Sequence, residues 1–409
     1  MKIQRHTIPL LHDHHTHPQF YAAFGKGLRL TEVTSKAEAN QRLTDAASDQ
    51  KLVVANGWRS NHFAWTESEL NDLPPVAIFN VSLHSLAIND AGREQLFKVY
   101  GDVIEKLEDR QWYEANLRTV LNWFANLNAS ESGLIEFYRD LEGQGIYSAE
   151  ELLLVDEQEI ERFQNAGLLQ RTKFWVAPDT FKDLSAESKQ KIAGQKLFTD
   201  GAIGSRTAAT SRAYLNQPEN NGMLIYSNNE LLETIERCLA GCDALAIHAI
   251  GDLAIEQVFR SLETIGGPCP NVRLEHVQLI SQQQARRAKE LGVTLSMQPN
   301  FSCDSVDYSD RLDAEYCSLN NPFRMLIDDF GFTPGVDLIL GSDGMPHGAE
   351  AALNASLFPP LDSQQLTMEE FVAGYCLPNA EKGQVEISID EDQRRIDVDE
   401  VSTQHTRSP

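Results

Sequence analysis

Short apolar runs recur along this chain, and several stop at a residue that can bind a metal ion. Ile8-Pro9-Leu10-Leu11 leads into Asp13-His14-His15-Thr16-His17, and Leu245-Ala246-Ile247 leads into His248. Val272-Arg273-Leu274-Glu275 leads into His276, and the run from Val336 to Leu340 leads through Gly341-Ser342 into Asp343. Each run has the length and β-branched or leucine-rich character of a strand. Gln195 to Phe198, which carries Lys196, reads as a further strand running into the glycine-rich turn that ends at Arg206, and Val293-Thr294-Leu295-Ser296-Met297 as another. Alternate residues of a strand share a face, so His15 and His17 are expected to point together with Asp13, while His14 and Thr16 point away.

The spacing of these strands predicts their topology. His248 to His276 is 28 residues, close to one βα repeat, and His276 to Asp343 is 67, which suits two repeats with Val293–Met297 between them. Strand ends that carry ligands at such intervals predict an α/β fold, a TIM-like (β/α)8 barrel, because its C-terminal strand ends share one mouth where the chemistry of such barrels is placed. Strands two and three are expected near 145–148 and 173–176, with an acidic helix over 156–165 between them. His17 and Lys196 are 179 residues apart, so a long insertion after strand one, 20–135, is expected to cover the mouth. It shows strand-like runs at 52–55 and 76–81, then helical spacing through Leu96, Val99, Val103 and Leu107 and through Leu117, Val120, Leu121 and Phe124. The barrel is assigned to 1–375. Residues 376–409 alternate around the acidic turn Glu391-Asp392-Gln393 and predict a short hairpin followed by a disordered acidic tail from about Ser402.

Composition narrows the setting. The 409 residues are 42% hydrophobic, enough for a large core, and the formal net charge of −25 argues against nucleic acid or an anionic membrane as a partner. No stretch is long and apolar enough to span a bilayer, and the first ligand motif occupies the position where a secretory leader would have its apolar region, so a cytoplasmic location is expected. The six cysteines form no CxxC pair and read as reduced thiols. A small-molecule substrate is the expected partner, with homodimerisation an open option.

Several short motifs in order resemble the amidohydrolase superfamily, in particular the amidohydrolase-3 branch that includes N-substituted formamide deformylase-like enzymes. They are Asp13-x-His15-x-His17, Lys196 to Arg206, His248-Ala-Ile-Gly-Asp252, Arg273-Leu-Glu-His276-Val-Gln278 with Met297-Gln-Pro299, and Gly341-Ser-Asp343. Weaker echoes are Gly57-Trp58 and His84 to Asn89, and the resemblance spans residues 10 to about 350. It implies that His15, His17 and Asp343 bind one metal ion and His248 and His276 a second, with a carboxylated Lys196 bridging them; a single-metal site stays open. Imidazole and carboxylate donors suit a divalent ion, zinc for preference, one or two per chain. Asp343 is then the natural proton shuttle. His84 and Arg206 are candidate substrate-binding residues, although an Arg beside a glycine-rich turn commonly ties down the loop, and Asp200 and Asp252 read as helix caps.

The function expected from this pattern is metal-dependent hydrolysis of an amide-type C–N bond. Hydrolysis or deamination of a cyclic amide, ester or heterocycle is the alternative, though Ala249-Ile250-Gly251-Asp252 after His248 lacks the glutamate that resembles the deaminase acid. A non-catalytic shortened homologue acting as a binding protein is the third. Relatives carry a β-sandwich flanking the barrel, whereas only 12 residues precede Asp13 here, so the sandwich is expected to be absent or reduced. Gly344-Met345-Pro346-His347-Gly348 stands where many relatives place Trp-Pro.

Overall fold

Eight strands carry the candidate residues: β1 (Leu11–Thr16), β2 (Ile146–Leu154), β3 (Thr172–Val176), β4 (Ile192–Phe198), β5 (Leu245–Ala249), β6 (Val272–His276), β7 (Thr294–Met297) and β8 (Leu338–Leu340). In the computed structural model they form one parallel sheet in chain order. The structure describes residues 3–25, 28–30, 32–47, 52–59, 62–80, 85–109, 112–113 and 116–403. The chain divides into two compact units, Met1–His17 with Tyr138–Pro409, and Pro18–Phe137. Just past β8 the chain returns to β1: the Asp343 N–H donates to the His15 carbonyl at 2.6 Å, and the Ser342 N–H to Asp13 Oδ1 at 2.9 Å. Gly341 permits this approach, since a Cβ there would stand 2.5 Å from the His15 backbone nitrogen. The result is a nearly closed TIM-like (β/α)8 barrel.

The helices around the sheet form for legible reasons. Asn228–Gly241 and Gln282–Leu291 start from capping boxes at Ser227 and Ser281, in which the serine and the third helical residue satisfy each other's backbone donors. Asp252–Ile265 buries Ala254, Ile255, Val258, Phe259 and Leu262, an apolar stripe at helical spacing. Each large side chain so buried contributes about 1.5–3 kcal/mol. Glu157–Asn165 begins at the Asp156 cap, where the acidic helix was expected.

Three elements depart from the sequence-based expectation. β2 runs on to Leu154, well past the expected 145–148, and so brings Glu150 and Glu151 into the sheet. The helical spacing from Leu96 to Leu107 is broken: an α-helix, Asp90–Tyr100, stops at Gly101, whose φ of 64° suits glycine, and a 3-10 helix follows over Gly101–Glu108. The terminal hairpin, Gly383–Asp390 with Arg395–Thr403, extends past Ser402 and is not alone. Ile3–Pro9 pairs antiparallel with its first strand, from Ile3 opposite Asp390 to Pro9 opposite Gln384, giving a three-stranded sheet. Residues 404–409, where the tail was expected to be disordered, lie outside the described residues.

The second unit holds a four-stranded sheet, Leu28–Arg29, Val53–Trp58, Val76–Asn80 and Leu86–Ile88. Val54, Ala77 and Phe79 join one apolar cluster with Phe24, Val120 and Phe124, while Val53, Ala55, Val76 and Ile78 join another with Ala39 and Leu43. The unit therefore has a core on each face of its own sheet.

Candidate metal centre

β1, β5, β6 and the end of β8 bring five of the expected ligands to neighbouring positions. The ligand atoms of His15, His17 and Asp343 lie within 4.8 Å of one another. Asp343 Oδ1 is 3.3 Å from His17 Nε2 and 3.8 Å from His15 Nε2. The His276 ring lies 4.6 Å from that of His15 and 4.6 Å from that of His248. Lys196, on β4, is fully buried, with its amine 4.8 Å from the Phe198 ring and its charge bearing on His15, His276 and Glu275. His276 and Asp343 both have positive φ, 71° and 53°, a conformation that L-residues rarely adopt and that recurs at functional sites.

The rings are held from behind. His15 Nδ1 is 2.6 Å from Glu275 Oε2, His276 Nδ1 is 2.7 Å from Gln298 Oε1, and His17 Nδ1 is 3.5 Å from Glu151 Oε1. If each Nδ1–H donates outward, each Nε2 lone pair is left for the centre, which is how metal-binding imidazoles are oriented. His248 is turned the other way: its Nε2 lies 3.0 Å from the Gly201 carbonyl and 3.3 Å from Asp200, leaving Nδ1 free to ligate.

Electrostatics divide the rings. Burial lowers the His15 pKa to about 4, and burial with the neighbouring His248 and His15 pushes His276 well below the ordinary value, so both are neutral at pH 7. Burial also opposes the charge on His17, but Asp343 and Glu151 outweigh it and raise its pKa to about 9. Asp343 is held well below the usual carboxylate range, because His15, His17 and His276 more than offset its burial. His15 and His276 are thus neutral donors beside an ionised carboxylate, as a divalent ion requires, whereas His17 holds a proton between Asp343 and Glu151 that an arriving ion would have to displace.

Sequence reasoning missed the charge network behind these ligands. Arg273 donates from Nη1 to Glu150 at 2.7 Å, from Nε to Glu275, and from Nη2 to the His14 carbonyl at 2.8 Å. His14 Nδ1 lies 3.1 Å from Glu150, so its ring joins this buried network and does not point away as strand alternation predicts. The pairing register of β1 slips between Asp13 and Thr16, which breaks the alternation. Asp13 turns to β8 and accepts from the Ser342 hydroxyl at 2.5 Å. The Glu of Arg273-Leu-Glu-His276 stood in the motif and was the one available signal for Glu275. His347, 2.7 Å from the Thr16 hydroxyl and within electrostatic reach of Asp343 and His17, is a second residue that spacing did not reveal.

Other candidates fall elsewhere. Arg206 pairs with Asp310 at 3.5 Å, and no described contact joins it to the histidine cluster. Asp200 accepts the Ile250 and Gly251 N–H groups and the Ala209 N–H, so it ties the turn after β5 and does not cap a helix of its own. Asp252 is the first residue of its helix, whose cap is Gly251, and its carboxylate takes Ser211 and the Tyr316 hydroxyl. His84 lies outside the described residues. Among those residues no helix is long and apolar enough to cross a membrane.

Comparison with known proteins gives this geometry a lineage. The solved structure of an uncharacterized metal-dependent hydrolase from Pyrococcus horikoshii superposes with a TM-score of 0.68 at 25% identity, covering 86% of this chain and 74% of that one. Another from Pyrococcus furiosus superposes with a TM-score of 0.71 at 21% identity, covering 90% and 80%, and shares the fold. YtcJ of Bacillus subtilis is 33% identical over 125 residues, 28% of this chain and 23% of its own length. LONG AFTER FAR-RED 3 of Arabidopsis thaliana is 23% identical over 354 residues, 73% of this chain and 60% of its own length, so the chain spans less than two thirds of either sequence relative. The profile of the amidohydrolase family matches residues 4–351, the whole stretch from the first strand to beyond Asp343, and this chain belongs to that family.

Proposed function

We propose that this chain is a metal-dependent hydrolase that cleaves an amide-type C–N bond, N-acyl or N-formyl, in a small molecule, as formamide deformylase-like members of the family do. The observation that supports it best is the convergence of His15, His17 and Asp343, ligand atoms within 4.8 Å, with both rings oriented from behind by carboxylates. Imidazole and carboxylate donors suit zinc. One ion would be held by His15, His17 and Asp343, and a second by His248 and His276 with Lys196 carboxylated between them. When bound, such an ion supplies Lewis acidity, lowering the pKa of water to about 7 and polarising a carbonyl.

The chain's own residues supply the proton transfers. Asp343, ionised and directed at the rings of His15 and His17, takes the proton of the attacking water and passes it to the departing nitrogen. Glu275, Gln298 and Glu151 keep the rings oriented while charge moves.

The test is metal content per chain, together with turnover of N-formyl and N-acyl amines, on protein purified without chelator in bicarbonate buffer. Asp343→Asn, loaded with metal to the wild-type content, is expected to lose turnover by about 10²–10⁴-fold; a rate near wild type removes Asp343 from the role. Lys196→Ala is expected to lose one of two equivalents. Turnover of esters or aminated heterocycles with no amide hydrolysis would move the assignment to those substrates.

A further inference from the structure

The end of the barrel where the strands begin holds a second set of ligand-type side chains, apart from the mouth. His12 Nε2 and His14 Nδ1 each lie 3.1 Å from Glu150 Oε1, and the three ligand atoms lie within 4.8 Å of one another. Beside them is a cavity of about 660 Å³, lined by His12, His14, Ser148, Lys173 and, from before β1 and β8, Pro9 and Gly335. We propose that His12, His14 and Glu150 form a second divalent-metal site, of zinc type, entered from this cavity and sharing no ligand with the hydrolytic centre.

Three features support a built site. First, the spacing suits an ion: bonds of about 2.1 Å in tetrahedral geometry set neighbouring ligands roughly 3.4 Å apart, and each imidazole nitrogen stands 3.1 Å from Glu150 Oε1, within a few tenths of an ångström of that. Second, each of two ligands has its outer atom fixed, as metal ligands require. His12 Nδ1 lies 2.7 Å from the Ser148 hydroxyl, which leaves Nε2 for an ion, and Glu150 Oε2 is held by the Trp175 indole N–H and by Arg273, both at 2.7 Å, which leaves Oε1. Third, the charge fits. Arg273 is shared between Glu150 and Glu275, so the three carry one net negative charge facing the imidazoles. Lys173, 3.4 Å from Glu150 Oε1, is 58% exposed and free to swing its amine into water when a cation enters.

An ion there would tie β1 to β2 at the start of the barrel. It would also bear on the mouth, because Glu150, Arg273 and Glu275 join this site to His15 through consecutive contacts.

Zinc equivalents are counted by equilibrium dialysis and elemental analysis in four full-length proteins: wild type, His12→Asn, a mouth-disabled His17→Ala/Asp343→Asn chain, and the same chain with His12→Asn. The expected result is that His12→Asn removes one equivalent in both backgrounds. Equal counts with and without His12 overturn the proposal, whatever the mouth binds, so failure of the hydrolytic reading is read separately. Lys173→Met, on an exposed side chain that the fold tolerates, guards against a misfolded His12 variant. It is expected to tighten zinc binding in the mouth-disabled chain about threefold at low salt, where surface charge is least screened; unchanged or weaker binding counts against the site.

Discussion

A buried carboxylate stands behind one of the candidate ligands, His15, which is itself almost fully buried. Burial alone would raise the Glu275 pKa, but Arg273, Lys196 and His15 hold it well below the usual carboxylate range, so a full negative charge sits 2.6 Å from His15 Nδ1. Glu275→Gln keeps the shape and removes the charge; metal affinity is expected to fall about 10–100-fold, measured by competition with a chromophoric chelator. Asp304 shows the opposite balance. Burial, helped by Asp307, raises its pKa to about 6 despite the bond from Gln278. A carboxyl whose folded pKa exceeds its unfolded value binds its proton more tightly when folded, so stability is lost as pH rises from about 4 to 6. Asp304→Asn is therefore expected to match wild type at pH 4 and to exceed it by up to about 3 kcal/mol at pH 7 in urea melts; an equal gain at both pH values would rule out the titration. His15, His17, His248, His276 and Asp343 were legible because each ends a strand-like run. Glu150 was not, because Ala149-Glu150-Glu151 reads as polar punctuation, and only the closed barrel shows that its acidic side chains face Arg273 and the rings.

At the level of elements, the site depends on how closely β8 lies against β1. Gly341→Ala would place a methyl 2.5 Å from the His15 nitrogen and 3.0 Å from Asp13 Oδ1, both parts of the closing seam. Backbone cannot give way as a flexible side chain does, so this substitution is expected to cost about 1–3 kcal/mol and to loosen metal binding. A melt unchanged from wild type, with full metal content, would show that the seam is softer than its distances indicate. Strand positions were readable from apolar runs, but strand extent and face were not. The slip between Asp13 and Thr16 defeats a strict period of two, and β2 continues through two glutamates. The break at Gly101 followed from a φ that spacing alone does not encode.

Over the whole molecule, the βα intervals foretold the barrel, whereas the insertion gave only fragments, because its sheet joins short runs by two parallel pairings and one antiparallel edge pairing. With a core on each face of its sheet, residues 18–137 expressed alone are expected to unfold cooperatively by circular dichroism; a featureless melt would mean that they depend on the barrel. Metal that binds only the folded barrel adds stability by mass action, about 4 kcal/mol at a thousand times Kd. Chelation should lower the melting midpoint by several degrees, and a midpoint indifferent to chelator would argue that no ion is bound. The pairing of Ile3–Pro9 with Gln384–Asp390 has a consequence in time. At a synthesis rate of about 5–20 residues per second, Ile3 leaves the ribosome on the order of tens of seconds before Asp390 exists. The strand made first waits longest for its partner, and its unpaired edge is exposed to neighbouring nascent chains until the hairpin arrives.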